Sequence, residues 1–280
     1  MFESYLSREN CQGSECAFSN LFVWQTCYNI YWTEIYGFLI VKVKRDLTEF
    51  FLQPFGGKDE DLPKLIEALR EYAGGEFMFA GIYEEGKTRL STVFDEAEFI
   101  EDRDNWDYIY LRENLANLAG RKYHGKKNHV NAFVKEHPDY VYAPITPADY
   151  DECMAFGDTW CERRLSEDPS LVCEKCAIHE AFNNFEALGL RGGLIRLDGK
   201  VEAFSFGKKI NDNTAVLHVE KANPEIRGLY AVINRDFAKN AWQDVTYLNR
   251  EEDMGHEGLR EAKESYKPEY MWKKYYLQVK

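Results

Sequence analysis

Apolar positions in the second half of the chain recur first at the three- and four-residue spacing of amphipathic helices and then at the two-residue spacing of strands. Two helices are predicted first, beginning at Thr146-Pro147-Ala148-Asp149, where a hydroxyl residue precedes an acid by one helical turn. Strands over 193–197 and 200–207 follow, joined by a turn at Asp198-Gly199. The remaining elements are a strand over 214–220, a helix over 229–237, a strand over 245–248, a short helix over 258–266 and a closing strand over 270–279.

The first half of the chain shows a similar alternation of elements less clearly. The pattern predicts a strand over 36–44, a helix over 62–69 that ends at Gly74-Gly75, and strands over 76–83 and 106–111. Pro138 ends a helical stretch near the middle of the chain. We therefore predict an α+β protein of two domains, 1–138 and 139–280. The second domain has the element order of the GNAT acyltransferase fold.

Composition narrows the classes of function. The 280 residues include 48 acidic and 35 basic side chains, for a net charge of −13, which argues against a DNA-binding or general RNA-coating protein. No apolar run approaches the roughly 18 residues that cross a membrane, and Glu3 stands where a signal peptide would be basic. We therefore expect no integral membrane segment. Seven irregularly spaced cysteines indicate free, mostly buried thiols and a cytoplasmic location.

Several segments, spread over nearly the whole chain, resemble the motifs of one bacterial family. They are Ser14–Trp24, Gly120–Asn128, Phe185–Phe206, His218–Ala222, Asn249–Asp253 and Gly258–Pro268. The family has no assigned function and is related to the C-terminal aminoacyl-transferase domain of phosphatidylglycerol lysyltransferase. The resemblance implies two tandem GNAT-like lobes, each a mixed, mostly antiparallel sheet flanked by helices. It also implies kinship with Fem-type transferases, which take an amino acid from aminoacyl-tRNA.

The last predicted helix carries the first catalytic candidates. Lys263 lies within an apolar stripe that includes Leu259 and Tyr266. The resemblance implies an ammonium held in a cleft, where it would stabilise a developing oxyanion. The alternative is a lysine whose stem lies on the stripe and whose amine reaches water. Tyr266 would protonate a leaving hydroxyl, or it only packs in the core.

His218 and Glu220 are the candidates for a general base. They lie two residues apart in a predicted strand, so both are expected on one face of the sheet. Either one would accept the proton of an attacking amine. The alternative is the ordinary polar face of a half-exposed sheet.

Two segments are candidates for substrate binding. Arg227-Gly228 precedes a helix, where free N–H groups favour an anion and glycine permits close approach; the alternative is a simple helix entry. Asn249, Arg250, Glu251 and Glu252 follow a strand end, where ligand-binding loops gather. Arg250 would hold a carboxylate, and Glu251 or Glu252 a substrate amine. The alternative is a charged surface turn.

One dense basic cluster stands out against the acidic background. Its members are Arg121, Lys122, Lys126 and Lys127. It would bind the phosphates of a tRNA acceptor stem or of a nucleotide. The alternatives are a solvated helix face, or pairing with acids such as Asp95-Glu96 or Glu101-Asp102.

The spacing Cys173-x-x-Cys176 with His179 suggests zinc at first sight. A structural zinc site needs four ligands, and no second pair has matching spacing, so we predict small buried side chains and no metal.

The sequence thus predicts a cytoplasmic acyltransferase that moves an aminoacyl group from charged tRNA to an amine or hydroxyl of a small-molecule or peptide acceptor. One alternative is a coenzyme A-dependent N-acyltransferase, with a coenzyme A thioester as acyl donor. The other is a non-catalytic module that binds a ligand or a protein. No further cofactor is implied.

Overall fold

Two mixed sheets, each flanked by helices, form the framework of the molecule. They are seen in a computed structural model that describes residues 1–6, 11–45, 48–94, 96–166, 168 and 170–280. The first sheet contains β1 (Tyr31–Ile35), β2 (Phe38–Arg45), β3 (Thr48–Leu52), β4 (Phe55–Gly56), β5 (Phe77–Ile82), β6 (Ile100–Glu101) and β14 (Tyr275–Val279). The second contains β7 (Asp107–Leu111), β8 (Val141–Pro144), β9 (Arg191–Leu197), β10 (Lys200–Lys209), β11 (Thr214–Ala222), β12 (Tyr247–Asn249) and β13 (Tyr270–Trp272).

The strand orders are β1-β2-β3-β5-β14-β6, with β4 beside β2, and β13-β7-β12-β11-β10-β9-β8. Two neighbouring pairs are parallel, β3 with β5 and β11 with β12, and the other pairs are antiparallel. The α+β class is confirmed, and so is the predicted order of elements over 146–266: two helices, three antiparallel strands, a helix, a strand and a helix.

Helices flank both sheets. They are α1 (Phe2–Leu6), α2 (Phe18–Tyr28), α3 (Leu62–Ala73), α4 (Glu84–Leu90), α5 (Arg112–Asn117), α6 (His124–Glu136), α7 (Tyr150–Arg164), α8 (Leu171–Asn183), α9 (Leu229–Asn240) and α10 (Glu257–Glu264). One buried core joins the second sheet to α5, α6 and α9, and a separate core joins it to α2, α7 and α8. In the described part of the chain, no helix is long and apolar enough to cross a membrane.

Local sequence signals set several of these boundaries. The predicted capping box before α7 is present, since the Asp149 carboxylate accepts from the Thr146 backbone N–H at 2.9 Å and from its hydroxyl at 2.7 Å. The predicted hairpin of β9 and β10 turns at Asp198 and Gly199, both in the left-handed region with φ of +48° and +80°. Gly74, with φ of +76°, ends α3 as expected.

The predicted closing strand is wrong, because residues 270–279 form two strands in different sheets. β13 pairs with β7 in the second sheet, and β14 pairs with β5 and β6 in the first. The chain crosses between the sheets at Lys273 and Lys274, and Lys274 is turned inward, with 1% of its surface exposed. Each sheet therefore contains strands from both sides of residue 138, because β14 lies in the first sheet and β7 lies in the second. The domain division there stays a prediction.

The cysteines also depart from expectation. Cys11 and Cys16 are joined by a disulfide, so the prediction of free thiols is wrong for this pair. The short helical turn at Ser14–Cys16 brings their Cα atoms to 6.4 Å. Of the remaining five, Cys153 and Cys161 are buried, Cys27 and Cys173 are half-buried and Cys176 is exposed.

Candidate active site

The candidate site lies where β11 and β12 stop pairing. Their parallel ladder ends at Val216 and Asn249, and β11 continues to Ala222 paired with β10 but no longer with β12. A β-bulge in the ladder with β10 skips His218, since Gly207 pairs with Leu217 and Phe206 pairs with Val219. Bulges re-aim side chains next to functional sites.

The bulge overturns the prediction that His218 and Glu220 share a face. The extra residue breaks the two-residue alternation, so the two side chains contact helices on opposite faces of the sheet. His218 bonds to Ser19 of α2, whereas Glu220 bonds to Asn234 of α9. Beyond the end of the β11–β12 ladder, a gap separates β11 from the segment that follows β12. Across this gap, His218 bonds to Glu251 and Glu220 bonds to Arg250. Two side-chain pairs thus bridge the gap.

The α9 side of the gap gathers four of the predicted residues, which we call the Glu220 cluster: Glu220, Arg250, Tyr266 and Lys126. The Glu220 carboxylate accepts from Nη2 of Arg250 at 2.9 Å and from Nδ2 of Asn234 at 2.9 Å. The ring centre of Tyr266 lies 4.8 Å from the guanidinium carbon of Arg250 and 4.0 Å from Nζ of Lys126. A carboxylate, two cations and a phenol therefore converge.

Burial sets the protonation states within the Glu220 cluster. Burial raises the pKa of Tyr266 above its ordinary value, so the phenol keeps its proton at neutral pH. Nη1 of Arg250 is buried and has no hydrogen-bond partner among the described residues. A proton donor and an unused cationic donor thus lie beside a carboxylate, which are groups that general acid–base and electrostatic catalysis use.

The α2 side of the gap holds a hydrogen-bonded chain of Ser19, His218 and Glu251. His218 Nε2 lies 2.7 Å from Oγ of Ser19, and its Nδ1 lies 2.9 Å from Oε1 of Glu251. Burial lowers the pKa of His218 to about 3, so the imidazole is neutral at pH 7. Ser19 is 1% exposed. We conclude that these hydrogen bonds fix α2, β11 and the segment after β12 to one another inside the protein.

Substituting Ser19 by Ala is expected to lower the free energy of unfolding by about 1–3 kcal/mol, because a buried imidazole nitrogen loses its partner. Urea unfolding followed by circular dichroism measures this change. The control is Ser91→Ala, since the Ser91 hydroxyl is exposed and bonds only to the Lys87 carbonyl; its effect should stay within about 0.5 kcal/mol. Equal effects of the two substitutions would contradict a contribution of the Ser19–His218 hydrogen bond to stability.

Lys263 lies beneath the segment that follows β12. It is 8% exposed, and its Nζ donates to the carbonyl of Arg250 at 2.6 Å and to the carbonyl of Glu252. Burial lowers its pKa to about 8. Both contacts hold the backbone that carries Arg250, which makes Lys263 a positioning residue here. Its predicted direct role with an oxyanion stays a prediction.

A buried charge network surrounds Lys274, at the point next to the site where the chain crosses between the two sheets. Lys274 Nζ lies 2.8 Å from Oδ1 of Asp107 and 2.8 Å from Oε1 of Glu15. Asn249 donates to Asp107 at 2.8 Å, and Glu252 lies 3.8 Å from Lys274. Asn249 is fully buried, so the reading of this segment as a surface turn is wrong.

The same network fixes the acids predicted to bind a substrate amine. Burial raises the pKa of both Glu251 and Glu252 to about 8. Glu251 bonds to His218, and Glu252 lies 3.8 Å from Lys274, so both carboxyl groups have partners inside the protein. Their predicted role in binding a substrate amine stays a prediction. Glu251 also adopts φ of +58°, a conformation that non-glycine residues rarely take.

Sequence reasoning missed Asp107, Lys274, Ser19 and Asn234. Asp107 carried a signal, since a single acid in the strand Asp107–Leu111, otherwise aromatic and aliphatic, indicates a buried ion pair. Lys274 carried a similar one within the last predicted strand. The other two offered none.

The remaining basic candidates lie away from the Glu220 cluster. Arg121, Lys122, Lys127 and Arg227 are exposed. Gly228 has φ of +87°, and a Cβ there would stand 2.5 Å from the His129 carbonyl of α6. Helix α6 therefore occupies the space above this glycine. Of the acids proposed as alternative partners, Glu101 pairs with Lys273 at 2.8 Å, and Asp95 lies outside the described residues.

The cysteine motif of α8 is more open than predicted. Cys176 is exposed, and His179 bonds to Asp158 at 2.8 Å. Over the described ranges, no three or more His, Cys, Asp or Glu residues are grouped to hold a metal.

Comparison with known proteins places the chain among relatives. Its residues 8–278 match the family model described as phosphatidylglycerol lysyltransferase, C-terminal. A conserved protein of unknown function from Bacteroides thetaiotaomicron is 38% identical, with a TM-score of 0.93, 100% of this chain covered and 95% of that one. An uncharacterized protein of Mycoplasmoides gallisepticum is 24% identical over 179 residues, 62% of this chain; the alignment spans 56% of that relative's length.

Two more distant structures share the fold. L-PGS from Bacillus licheniformis has a TM-score of 0.65 at 15% identity, with 99% of this chain and 90% of that one covered. FemX has a TM-score of 0.63 at 9% identity, with 99% and 94% covered. The resemblance inferred from the motifs is thereby confirmed. The chain belongs to the phosphatidylglycerol lysyltransferase C-terminal family.

Proposed function

We propose that the protein transfers an aminoacyl group from aminoacyl-tRNA to an amine or hydroxyl acceptor. The observation that carries the proposal is the Glu220 cluster, in which a carboxylate, a protonated phenol and cationic donors converge at the gap beyond β12. Family membership supports an aminoacyl donor, because the family description names a lysyltransferase.

The reaction follows from the places of three side chains. The acceptor nitrogen or oxygen bonds to the ester carbonyl carbon, and its proton passes to the Glu220 carboxylate. Arg250, with Nη1 unused, stabilises the negative charge on the carbonyl oxygen. The bond from the carbonyl carbon to the ribose oxygen then breaks, and Tyr266 donates a proton to that oxygen. The proton on Glu220 restores Tyr266, so the protein ends unchanged.

The test is a transfer assay with tRNA charged with radiolabelled amino acid. The protein is incubated with each charged tRNA and with amine and hydroxyl acceptors of small-molecule, peptide and lipid type. We expect label to leave one tRNA faster than spontaneous hydrolysis and to appear in one acceptor class. Transfer from none of the charged tRNAs would overturn the proposal.

Calorimetry with acetyl-coenzyme A tests whether a coenzyme A thioester, and not aminoacyl-tRNA, is the acyl donor. Saturable binding of acetyl-coenzyme A, together with acetylation of an amine, would favour a coenzyme A-dependent N-acyltransferase. No turnover with either donor would favour a binding module.

A further inference from the structure

Lys126 differs from every other member of the predicted basic cluster. It lies in the first turn of α6 with its ammonium over the ring of Tyr266, 4.0 Å from the ring centre. Arg121, Lys122 and Lys127 are exposed, whereas Lys126 is half-buried. Of these four residues, Lys126 is therefore the one that reaches the Glu220 cluster.

The ammonium of Lys126 lacks an anionic partner. It makes no hydrogen bond or ion pair with any residue in the described ranges, and its contact with Tyr266 is a cation–π contact. The carboxylate of Glu220 is already bonded to Arg250 and Asn234. Two cations and one carboxylate leave the Glu220 cluster with one uncompensated positive charge.

Holding Lys126 there costs free energy. Burial and the nearby positive charge of Arg250 lower the pKa of Lys126 to about 8, and Glu220 only partly offsets them. Arg250, Glu220 and Tyr266 are the groups that face it. Lys126 is itself half-buried, and its chain neighbours Gly125 and Lys127 are exposed, so this turn of α6 lies at the surface. A half-buried, unpaired ammonium at the surface favours a ligand that supplies the missing negative charge.

We propose that Lys126 binds a phosphate group of the acyl donor, at a subsite beside the Glu220 cluster. The inference rests on the proposed function for its place in the reaction. One phosphodiester carries one negative charge, which matches the excess positive charge of the Glu220 cluster. Two sources share this chemistry, the 3′ end of a tRNA and coenzyme A.

The test measures binding by calorimetry, without any transfer. The probes are the dinucleotide pCpA, which mimics a tRNA 3′ end, coenzyme A, and adenosine, which has no phosphate. The proteins are the unsubstituted chain, Lys126→Met and the control Lys135→Met, which removes the same charge from an exposed position near the other end of α6. We expect Lys126→Met to weaken binding of pCpA by about tenfold, and Lys135→Met to change it less than about twofold.

Three results would overturn the subsite. They are equal losses in the two variants, adenosine binding as tightly as pCpA and coenzyme A, and an unsubstituted protein that binds neither pCpA nor coenzyme A. Tighter binding of coenzyme A than of pCpA, lost in Lys126→Met, would keep the subsite and change the donor. Thermal unfolding of both variants checks that each is folded.

A second measurement uses pH. Phosphate-dependent binding to the unsubstituted protein should weaken as the pH rises through about 8, because Lys126 loses its proton there, and Lys126→Met should lack this step. A step that persists in the variant would contradict the assignment. If Lys126 binds pCpA and no charged tRNA gives transfer, the proposed function fails and the subsite stands. If transfer occurs and Lys126→Met binds normally, the subsite alone fails.

Discussion

Glu220→Gln is expected to lower the rate of aminoacyl transfer by about two to four orders of magnitude, the usual effect of losing a general base. The amide keeps the size of the side chain and one acceptor oxygen for Arg250, but it takes up no proton. The measurement is single-turnover release of labelled amino acid from charged tRNA, compared at equal concentrations of folded protein.

The matched control for this prediction is Glu202→Gln. Glu202 lies on the neighbouring strand β10, is half-buried and accepts a hydrogen bond from Asn223 at 2.8 Å, much as Glu220 does from Asn234. It lies outside the Glu220 cluster, so the substitution should leave the transfer rate within about a factor of two. Full activity of Glu220→Gln, or equal losses in the two variants, would remove Glu220 from the mechanism.

Lys274→Met should lower the free energy of unfolding by about 3–5 kcal/mol, the cost of leaving buried charges without a partner. Asp107 is fully buried and Lys274 is 1% exposed, so water cannot replace the lost ammonium. The pKa of Lys274 reflects these contacts: burial opposes the charge, but Asp107 and Glu15 raise the pKa above its ordinary value. Urea unfolding at pH 7 measures the change.

Lys273→Met is the control for the neighbouring position. Lys273 pairs with Glu101 at 2.8 Å, and both side chains are roughly half exposed. An exposed pair contributes about 0–1 kcal/mol, so this variant should unfold close to the unsubstituted protein. If Lys274→Met were no less stable than Lys273→Met, the ion pairs of Lys274 would not stabilise the fold as described.

The sequence was informative wherever short-range chemistry decides the structure. Thr146 and Asp149 lie one helical turn apart and begin α7, and Asp198-Gly199 closes a hairpin, because both signals act between near neighbours. Local periodicity also predicts the order of the helices and strands from α7 to α10. Of the predicted site, Lys126, Glu220, Arg250 and Tyr266 do come together.

Long-range geometry was not readable in the same way. The bulge at His218 comes from the pairing of β11 with β10, and alternation along one strand cannot reveal it. The partners Asp107 and Lys274 are far apart in the chain, so no local spacing joins them. Lys263 is buried, but the predicted apolar stripe around it is wrong at Leu259, which is exposed. Its acceptors are backbone carbonyls, which side-chain identity does not indicate.

The position of β14 has a consequence for how the protein is made. β14 lies between β5 and β6, and these three strands complete the first sheet only when residues 275–279 have left the ribosome. The amino-terminal sheet therefore cannot mature during early translation, although most of its strands are synthesised first. Nascent chains halted before that point keep an open seam beside β5, and chaperones that shield unpaired strand edges would be needed longest there.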